Sequence, residues 1–355
     1  MGKHAVRIKD IAAKANVSVG TVDRVLHNRG RVAEDVRQKV LLMMQELEYE
    51  PNMIARTLGS NRTYQLAAIQ PNHTLDPYWL APWEGINKAA RELQQYGVVL
   101  TVYPYDMSRV ESFLEQIALA TQARPDGIVI APLFYRESLP FFEQWQQQQI
   151  PYVLFNTYIT EINPLSYVGQ DSYQSGYLAG KLLQFGQTQP GTYLIAHIAE
   201  DIANSVHVTQ KEQGFRDYFA QLPASQTDGN TICSVDLPYP TEATFVHKLT
   251  ELLAQEQQHL RGIFVSTSRA YAIAPYLQQY SDDIRLVGYD LLAENIRFLQ
   301  EGTIDFLINQ NPKEQGYYGL YALADQLVFK KEVSPLKYLP LDIIAKENLH
   351  YYVGK

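Results

Sequence analysis

Arg24 offers the most specific chemistry near the start of the chain, because a guanidinium can donate two parallel hydrogen bonds to O6 and N7 of a guanine. The same group could instead contact a phosphate, which would anchor the chain without reading sequence. Nearby, Val19 could touch a thymine methyl group, and Gly20 would allow close approach to base edges. Further candidates for phosphate or groove contacts are Ser18, Thr21, His27, Asn28 and Arg31.

Two short helices would have to position these groups. Apolar spacing predicts one helix from about Ile8 to Ala15, and the Ser18 hydroxyl can cap a second one after a turn over residues 16–18. A third helix over roughly 34–47 would complete a small core. This pattern predicts a helix-turn-helix, whose second helix enters the DNA major groove, although a generic helical hairpin is the alternative. The residues expected between the first two helices are Ile11, Ala12, Ala15, Val17, Val22 and Val25.

The charge is unevenly distributed along the 355 residues. The net charge of −8 argues against nucleic-acid binding by the chain as a whole. However, residues 1–62 hold 11 Lys and Arg against 7 Asp and Glu, a net of +4, and residues 63–355 hold 19 against 31, a net of −12. A small basic head on an acidic body is typical of a DNA-binding protein with a separate sensor.

A single cysteine, Cys233, rules out an internal disulfide. No apolar run precedes the first helix, and no stretch approaches the length of a membrane span. We therefore expect a soluble, cytoplasmic protein associated with the nucleoid. The sequence has no Gly-rich phosphate loop, metal-spaced His/Cys cluster or nucleophile elbow, so we expect no catalytic residues, metal or cofactor.

From residue 64 onward, short apolar runs alternate with amphipathic helices, which predicts parallel sheets with helices on both faces. Two such series predict two doubly wound lobes, with a ligand bound in the cleft between them at the carboxyl ends of the strands. Strands are expected at 64–70, 98–103, 127–131, 151–155, 191–198, 231–236, 261–266, 285–290 and 304–309. Helices are expected at 79–96, 108–122, 138–148, 172–185, 206–220, 242–257, 269–280, 291–300 and 313–329.

The head resembles the LacI/GalR family of bacterial transcription regulators. The matching motifs follow one another without gaps, and they are Asp10-Ile11-Ala12, Val17-Ser18, Thr21-Val22, Arg24-Val25-Leu26, Tyr49-x-Pro51-Asn52 and Ala55-x-x-Leu58. The resemblance implies that Asn52 to Leu58 forms a hinge helix only on operator DNA, where Leu58 wedges between base pairs and Ala55 or Arg56 contacts the minor groove. An ordinary linker is the alternative.

The body resembles the periplasmic sugar-binding fold that this family uses as a sensor. Val287-Gly288-Tyr289-Asp290 matches a strand end whose Asp accepts hydrogen bonds from sugar hydroxyls, and Gln310-Asn311-Pro312 matches the end of the next strand. In the N-lobe, Tyr78 and Trp79 could lie flat against a sugar ring. Other positions where the resemblance suggests effector contacts are Asn72, Asp76, Phe155 and Asn156.

Two departures from the family pattern bear on the ligand. Lys211 stands where many sugar-binding relatives carry Arg, and Thr267-Ser268-Arg269 replaces an Asn-Asp pair. These changes suggest a ligand with some negative charge, or a modified sugar, and make Lys211, Ser268 and Arg269 effector-binding candidates. A surface salt bridge is the alternative role for Arg269.

The sequence thus predicts a regulator, by default a repressor, that binds a palindromic operator as a homodimer and is gated by a carbohydrate-like effector. Its parts are a helix-turn-helix domain (1–50), a hinge and linker (51–62) and a two-lobed domain (63–355). The N-lobe is expected at about 63–160 plus 311–335, and the C-lobe at about 161–310 plus the C-terminal strand. The alternatives are a sensor that answers to a protein partner, and a sugar-binding protein without regulatory output.

Overall fold

The chain forms two compact units, Met1–Asn61 and Arg62–Lys355. The computed structural model describes residues 6–26, 30–47, 49, 62–199, 205–223, 229–256, 259–278 and 284–353. Among these residues, no helix is long and apolar enough to cross a lipid bilayer.

The first unit is a three-helix head, consisting of α1 (Ile8–Ala15), α2 (Val19–Leu26) and α3 (Glu34–Glu46). Asn16 adopts a left-handed conformation (φ 52°) that ends α1 and turns the chain toward α2. The predicted cap is confirmed, because the Ser18 hydroxyl oxygen accepts a hydrogen bond from the backbone N–H of Thr21 at 3.1 Å. The predicted core between the helices is also confirmed, with Val17 at its partly buried edge and Val40 added from α3.

The N-lobe of the second unit contains a wholly parallel sheet. Its strands are β1 (Tyr64–Pro71), β2 (Val98–Tyr105), β3 (Gly127–Ile130), β4 (Tyr152–Phe155), β5 (Ser166–Gly169) and β11 (Leu336–Tyr338). They lie in the order β11-β5-β4-β3-β1-β2. Strands β3 and β4 are buried along their whole length, as expected for strands covered on both faces. The helices are α4 (Leu80–Leu93), α5 (Val110–Gln122), α6 (Tyr135–Gln147) and α12 (Pro312–Leu327).

The C-lobe contains a second sheet. Its strands are β6 (Thr192–Ile198), β7 (Thr231–Leu237), β8 (Leu260–Val265), β9 (Arg285–Tyr289), β10 (Phe306–Asn309) and β12 (Asp342–Ile344). They lie in the order β12-β10-β9-β8-β6-β7, and of these strands only β12, at the edge, is antiparallel to its neighbour. Its helices are α7 (Ser172–Gln184), α8 (Val206–Ala220), α9 (Ala243–Glu256), α10 (Ala274–Leu277) and α11 (Ala293–Glu301). The fold is therefore a helical head followed by two doubly wound α/β lobes.

Three details differ from the sequence-based expectation. The short strand β5 was not predicted, and because it pairs with β4 the N-lobe sheet extends beyond residue 160, to Gly169. The helix expected at 269–280 is a 3₁₀ turn (Ala270–Ala272) followed by the four-residue α10, with Pro275 in its first turn. The last two strands divide between the lobes, β11 joining the N-lobe sheet and β12 the C-lobe sheet.

Helices α7 and α8 cross at unusually close range. A methyl group on Gly176 of α7 would lie 1.8 Å from the carbonyl oxygen of Lys211, and one on Gly214 of α8 would lie 2.0 Å from that of Tyr173. Only glycine allows this approach of one backbone to the other. The crossing therefore fixes the position of the α8 backbone against α7, and with it the positions of the α8 side chains.

Candidate functional site

The strand ends of the two lobes line a cavity of about 50 Å³. This space holds a few water molecules, so a ligand as large as a monosaccharide requires the lobes to part. The N-lobe wall consists largely of Pro77, Trp79, Met107 and Leu133. The C-lobe wall carries mostly polar groups, those of His207, Lys211, Ser266, Thr267, Ser268, Arg269 and Gln310.

Asp290 is the buried carboxylate behind the C-lobe wall. It follows β9 in a left-handed conformation (φ 63°), which turns its side chain back toward β10. Its carboxylate accepts hydrogen bonds from the Ser268 hydroxyl (2.6 Å), from the backbone N–H of Gln310 (3.1 Å) and from the Gln310 side chain. Burial raises the pKa of Asp290, and these hydrogen bonds together with the nearby Lys211 charge counteract only part of the rise.

Lys211 is buried on α8, and its ammonium group donates a hydrogen bond to the carbonyl oxygen of Ser266 at 3.0 Å. Oε1 of Gln310 lies 3.5 Å from the same nitrogen, and the Tyr289 ring centre lies 3.8 Å from it. The ammonium is therefore held by two oxygens and an aromatic face beside Asp290, an arrangement that desolvates the charge and compensates it.

Arg269 crosses from the C-lobe to the N-lobe. Its guanidinium forms an ion pair with Asp76, and both side chains are largely buried. The other Asp76 oxygen accepts a hydrogen bond from the backbone N–H of Tyr78 (2.9 Å), which begins the 3₁₀ turn that carries Trp79. Arg269 is thus ion-paired, but inside the cleft and not on the surface.

The N-lobe residues singled out from the sequence divide into two groups. Asp76, Tyr78, Trp79 and Asn156 line the cavity, and the Asn156 amide donates to the Tyr78 hydroxyl at 2.7 Å. Phe155 does not line it, since its ring lies in the core and packs edge-on against Trp79. Asn72 does not line it either, since its side chain accepts hydrogen bonds from Thr74 in the turn after β1.

Several cavity residues were not among the predicted site residues. His207 lies one helical turn before Lys211 and contacts the Thr157 hydroxyl of the N-lobe at 3.3 Å. Burial, assisted by the Lys211 charge, lowers the pKa of His207 to about 3, so its imidazole is neutral. The spacing of His207 and Lys211 on one helix face was an available signal, and so was the position of Met107 and Leu133 after strands β2 and β3. The other cavity residues that were missed are Pro77, Ser266, Thr267, Tyr271 and Leu292.

In the head, α2 presents Ser18, Val19, Gly20 and Arg24 on an exposed face. Arg24 folds back along the helix, because its Nε donates to the Gly20 carbonyl oxygen (3.1 Å) and Nη2 lies 3.4 Å from the Thr21 hydroxyl. Arg31 is exposed before α3, and Thr21 is half-buried. The remaining candidates, His27, Asn28, Asn52, Ala55, Arg56 and Leu58, lie outside the described residues.

Comparison with known proteins agrees with both parts of the chain. Residues 67–331 match a family model described as the periplasmic binding protein domain, and residues 7–52 match one described as bacterial regulatory proteins, lacI family. The chain is 26% identical over 351 residues to the ribose operon repressor of Halalkalibacterium halodurans, with 96% of each protein covered.

Solved structures give the same result for the body. One described as a LacI transcriptional regulator from Bacteroides fragilis is 30% identical, with a TM-score of 0.74 over 82% of this chain and 100% of that one. A glucose-galactose binding protein of Geobacillus stearothermophilus is 25% identical, with a TM-score of 0.70 over 82% and 100% of the two chains. With its helix-turn-helix head and its periplasmic-binding-protein domain as a sensor, the chain belongs to the lacI family of bacterial transcriptional regulators.

Proposed function

We propose that this regulator is a repressor that binds a palindromic operator as a homodimer, and that a small carbohydrate-like effector in the interlobe cleft gates its affinity for DNA. The observation that carries the proposal is the pairing of a polar C-lobe wall with Trp79 on the opposite wall. A sugar ring has hydroxyl groups for the first and an apolar C–H face for the second. The repressor names of the relatives support the direction of regulation.

The charges in the cleft favour an uncharged effector. Arg269 is paired with Asp76, Lys211 lies beside Asp290, and His207 is neutral. Two cations thus face two carboxylates, so an anionic ligand gains no net attraction unless it displaces Asp76 from Arg269. The pairing removes much of the basis for the anionic ligand suggested by Lys211 and Arg269 in the sequence.

We infer that Gln310, Ser268 and Lys211 contact the effector hydroxyls from the C-lobe, with Asp290 behind them orienting Ser268 and Gln310. From the N-lobe, the effector is contacted by Asp76, Tyr78, Trp79 and Asn156. Arg269 links the two walls. Neither Asn72 nor Phe155 is part of this proposed contact set. Closure of both walls on one ligand would change the relative placement of the lobes. The resulting change in DNA affinity is set by how differently the ligand binds the two placements, typically about 1–3 kcal/mol.

A thermal-shift screen tests the effector class. The panel pairs neutral sugars (D-ribose, D-glucose, D-galactose) with charged counterparts (D-ribose 5-phosphate, D-gluconate, D-galacturonate). A ligand at a hundred times its dissociation constant stabilises the folded protein by about 2.7 kcal/mol, so one neutral sugar should raise the unfolding temperature clearly. A preference for the charged partner would overturn the charge argument, and no shift with any of the six would count against a sugar effector.

The DNA half of the proposal assigns base reading to Arg24, with Val19 and Gly20 at the neighbouring base edges. Ser18, Thr21, His27, Asn28 and Arg31 would position the head through the phosphates. For the hinge, we keep the proposal that Asn52, Ala55, Arg56 and Leu58 contact the minor groove. These assignments predict separate effects on sequence preference and on overall affinity.

In vitro selection of DNA sites by the purified protein, followed by anisotropy titration, tests these roles. Selected sites should contain two inverted half-sites. Arg24→Ala should lose about 1–3 kcal/mol of discrimination at one base pair of each half-site. The matched variant Arg24→Lys keeps the charge but not the planar fork, so retained discrimination with Lys would reassign Arg24 to a phosphate.

A further inference from the structure

A chain of buried polar groups runs from the cleft through the C-lobe to its surface. Ser266, at the cavity wall, places its hydroxyl oxygen 2.8 Å from Nδ1 of His197 on β6. The other ring nitrogen, Nε2, lies 2.8 Å from a carboxylate oxygen of Glu212 on α8. Glu212 is in turn bound by Arg216, whose Nε and Nη2 lie 2.8 and 2.7 Å from its second oxygen. His197 is 1% exposed and does not line the cavity.

The Glu212 carboxylate decides which ring nitrogen of His197 carries hydrogen. Burial alone would raise the pKa of Glu212, but the hydrogen bonds from Arg216 and His197 outweigh burial and lower it, so the group is ionised. An ionised carboxylate can only accept hydrogen bonds. Nε2 of His197 must therefore carry a hydrogen and donate it to Glu212. A hydrogen bond of this kind to a carboxylate commonly fixes the tautomer of a functional histidine.

Two partners hold the Glu212 carboxylate in place. Arg216 matches its charge through two short contacts, and Nε2 of His197 lies 2.8 Å from its other oxygen. An imidazole whose single hydrogen lies on Nε2 leaves Nδ1 as a hydrogen-bond acceptor toward Ser266.

We propose that His197 is a positioning residue that fixes Ser266 as a hydrogen-bond acceptor toward the effector, so that the effector must present a donor group at this point of the cleft. The Ser266 hydrogen is directed to Nδ1 at 2.8 Å, because its other acceptor, the Ala196 carbonyl oxygen, lies at 3.4 Å. Only the oxygen lone pairs of Ser266 then remain for a ligand. This inference rests on the proposed function, since it assumes that the cavity binds the effector.

The adjacent hydroxyl provides an internal contrast. Oγ1 of Thr267 is buried and, among the described residues, has no hydrogen-bond partner. It can rotate to donate or accept, whereas Ser266 is held by His197. The cleft thus combines one adaptable hydroxyl with one of fixed polarity, and the fixed one confers specificity for hydroxyl or amine groups over fluorine or ether oxygen.

Nitrogen NMR of the imidazoles tests the positioning step without any ligand. In the full-length protein at neutral pH, His197 should show a protonated Nε2 and an unprotonated Nδ1, with its signals assigned by their loss in His197→Asn. The exposed pair His247 and Glu251 on α9 is the control, because its nitrogen and oxygen are 3.9 Å apart and both side chains face solvent. A hydrogen on Nδ1 of His197, in either the other tautomer or the imidazolium, would overturn the proposal.

Deoxyfluoro analogues test the consequence for recognition, using whichever of D-ribose, D-glucose or D-galactose gives the largest thermal shift. Fluorine cannot donate a hydrogen bond. At the ring position whose hydroxyl donates to Ser266, fluorine should therefore weaken binding to the wild-type protein about 10-fold. His197→Leu should reduce that penalty to about 2-fold, because Ser266 is released. His197→Asn, whose carbonyl oxygen can replace Nδ1 as acceptor, should retain the penalty, and His247→Gln should leave it unchanged.

An equal fluorine penalty in wild type and His197→Leu would contradict the role of His197 even if the NMR result were as expected. If none of the six compounds of the thermal-shift panel binds, the proposed sugar effector fails, and the NMR result alone decides whether the Ser266 hydroxyl is fixed.

Discussion

The two walls of the cleft are built on similar sheets, yet they use polar groups differently. On the N-lobe wall, Tyr78 and Asn156 hydrogen-bond to each other, Asp76 is paired with Arg269, and the remaining surface is apolar. On the C-lobe wall, buried polar side chains form a connected network around Asp290 and Ser266. The apolar wall can accept any ligand with a flat C–H face, whereas the polar wall specifies which hydroxyls the ligand carries.

The ion pair between Arg269 and Asp76 joins the two walls, and it provides the strongest test of the comparison. Arg269→Met leaves Asp76 as an uncompensated buried charge, at a cost of about 3–5 kcal/mol. Because opening the cleft hydrates Asp76, we expect the cost to fall on lobe closure more than on unfolding. Spin labels at Leu114 and Val246, with Cys233 replaced by Ser, should report a longer interlobe distance.

The double variant Asp76→Asn/Arg269→Met serves as its control. It removes both charges together, so the short interlobe distance should return. An unchanged distance in Arg269→Met alone would show that the ion pair does not hold the two walls together.

A smaller effect is expected within the polar wall, from Asp290→Asn. Sugar affinity should fall by about 1.5–3 kcal/mol, the usual contribution of hydrogen bonds to a charged group, because the charged acceptor that orients Ser268 and Gln310 is lost. Because the pKa of Asp290 is raised in the folded state, its stabilising contribution is present in full below the unfolded pKa and is lost as pH rises through the folded value. Calorimetry should therefore find the variant less destabilised, relative to wild type, at pH 7 than at pH 4. A stability difference independent of pH would contradict the raised pKa.

The apolar wall should respond more weakly to Trp79→Leu. Loss of the aromatic face should reduce sugar affinity by about 0.5–1.5 kcal/mol, with little change in which epimer is preferred. Trp83→Leu is the matched control, because Trp83 stacks on His73 at 4.5 Å and does not line the cavity. Isothermal titration would go against the division of roles if Trp79→Leu altered the order of preference among epimers.

The smallest effect, and the only one expected to stabilise the fold, is that of Thr267→Val. This nearly isosteric change removes a buried hydroxyl that has no hydrogen-bond partner in the part of the chain that the structure describes, so the free energy of unfolding should rise by up to about 1 kcal/mol. Chemical denaturation measures the rise, and sugar titration measures the accompanying loss of affinity. Lower stability would mean that the hydroxyl is bound within the fold.

Local patterns in the sequence predicted the residues at strand ends but not their pairing. Asp290 and Gln310 follow apolar strands, so their place at the cleft was predictable. Phe155 and Asn156 were expected as a pair, but successive side chains of a strand point to opposite faces, so Phe155 enters the core. The contact of Asp76 with Arg269 joins residues 193 positions apart, and no local pattern encodes it.

The missed elements have local causes. Strand β5 (Ser166–Gly169) has four residues, as β3 and β4 do, but Ser and Gly at its two ends leave only Tyr167 and Val168 as a continuous apolar run. The helix expected at 269–280 is interrupted where Pro275 falls, and the prediction extended the apolar spacing through it.

The glycine crossing of α7 and α8 has a consequence for how this sensor can diverge. Lys211 and Glu212 lie on α8, and Gly176 of α7 sets the position of the α8 backbone, because its missing methyl group leaves room for the Lys211 carbonyl oxygen. Any larger residue at Gly176 would force the α8 backbone outward and carry its side chains away from Ser266 and His197. Ligand preference in this lineage could therefore change through a position that touches no ligand, and a search for specificity mutations confined to the cleft would overlook it.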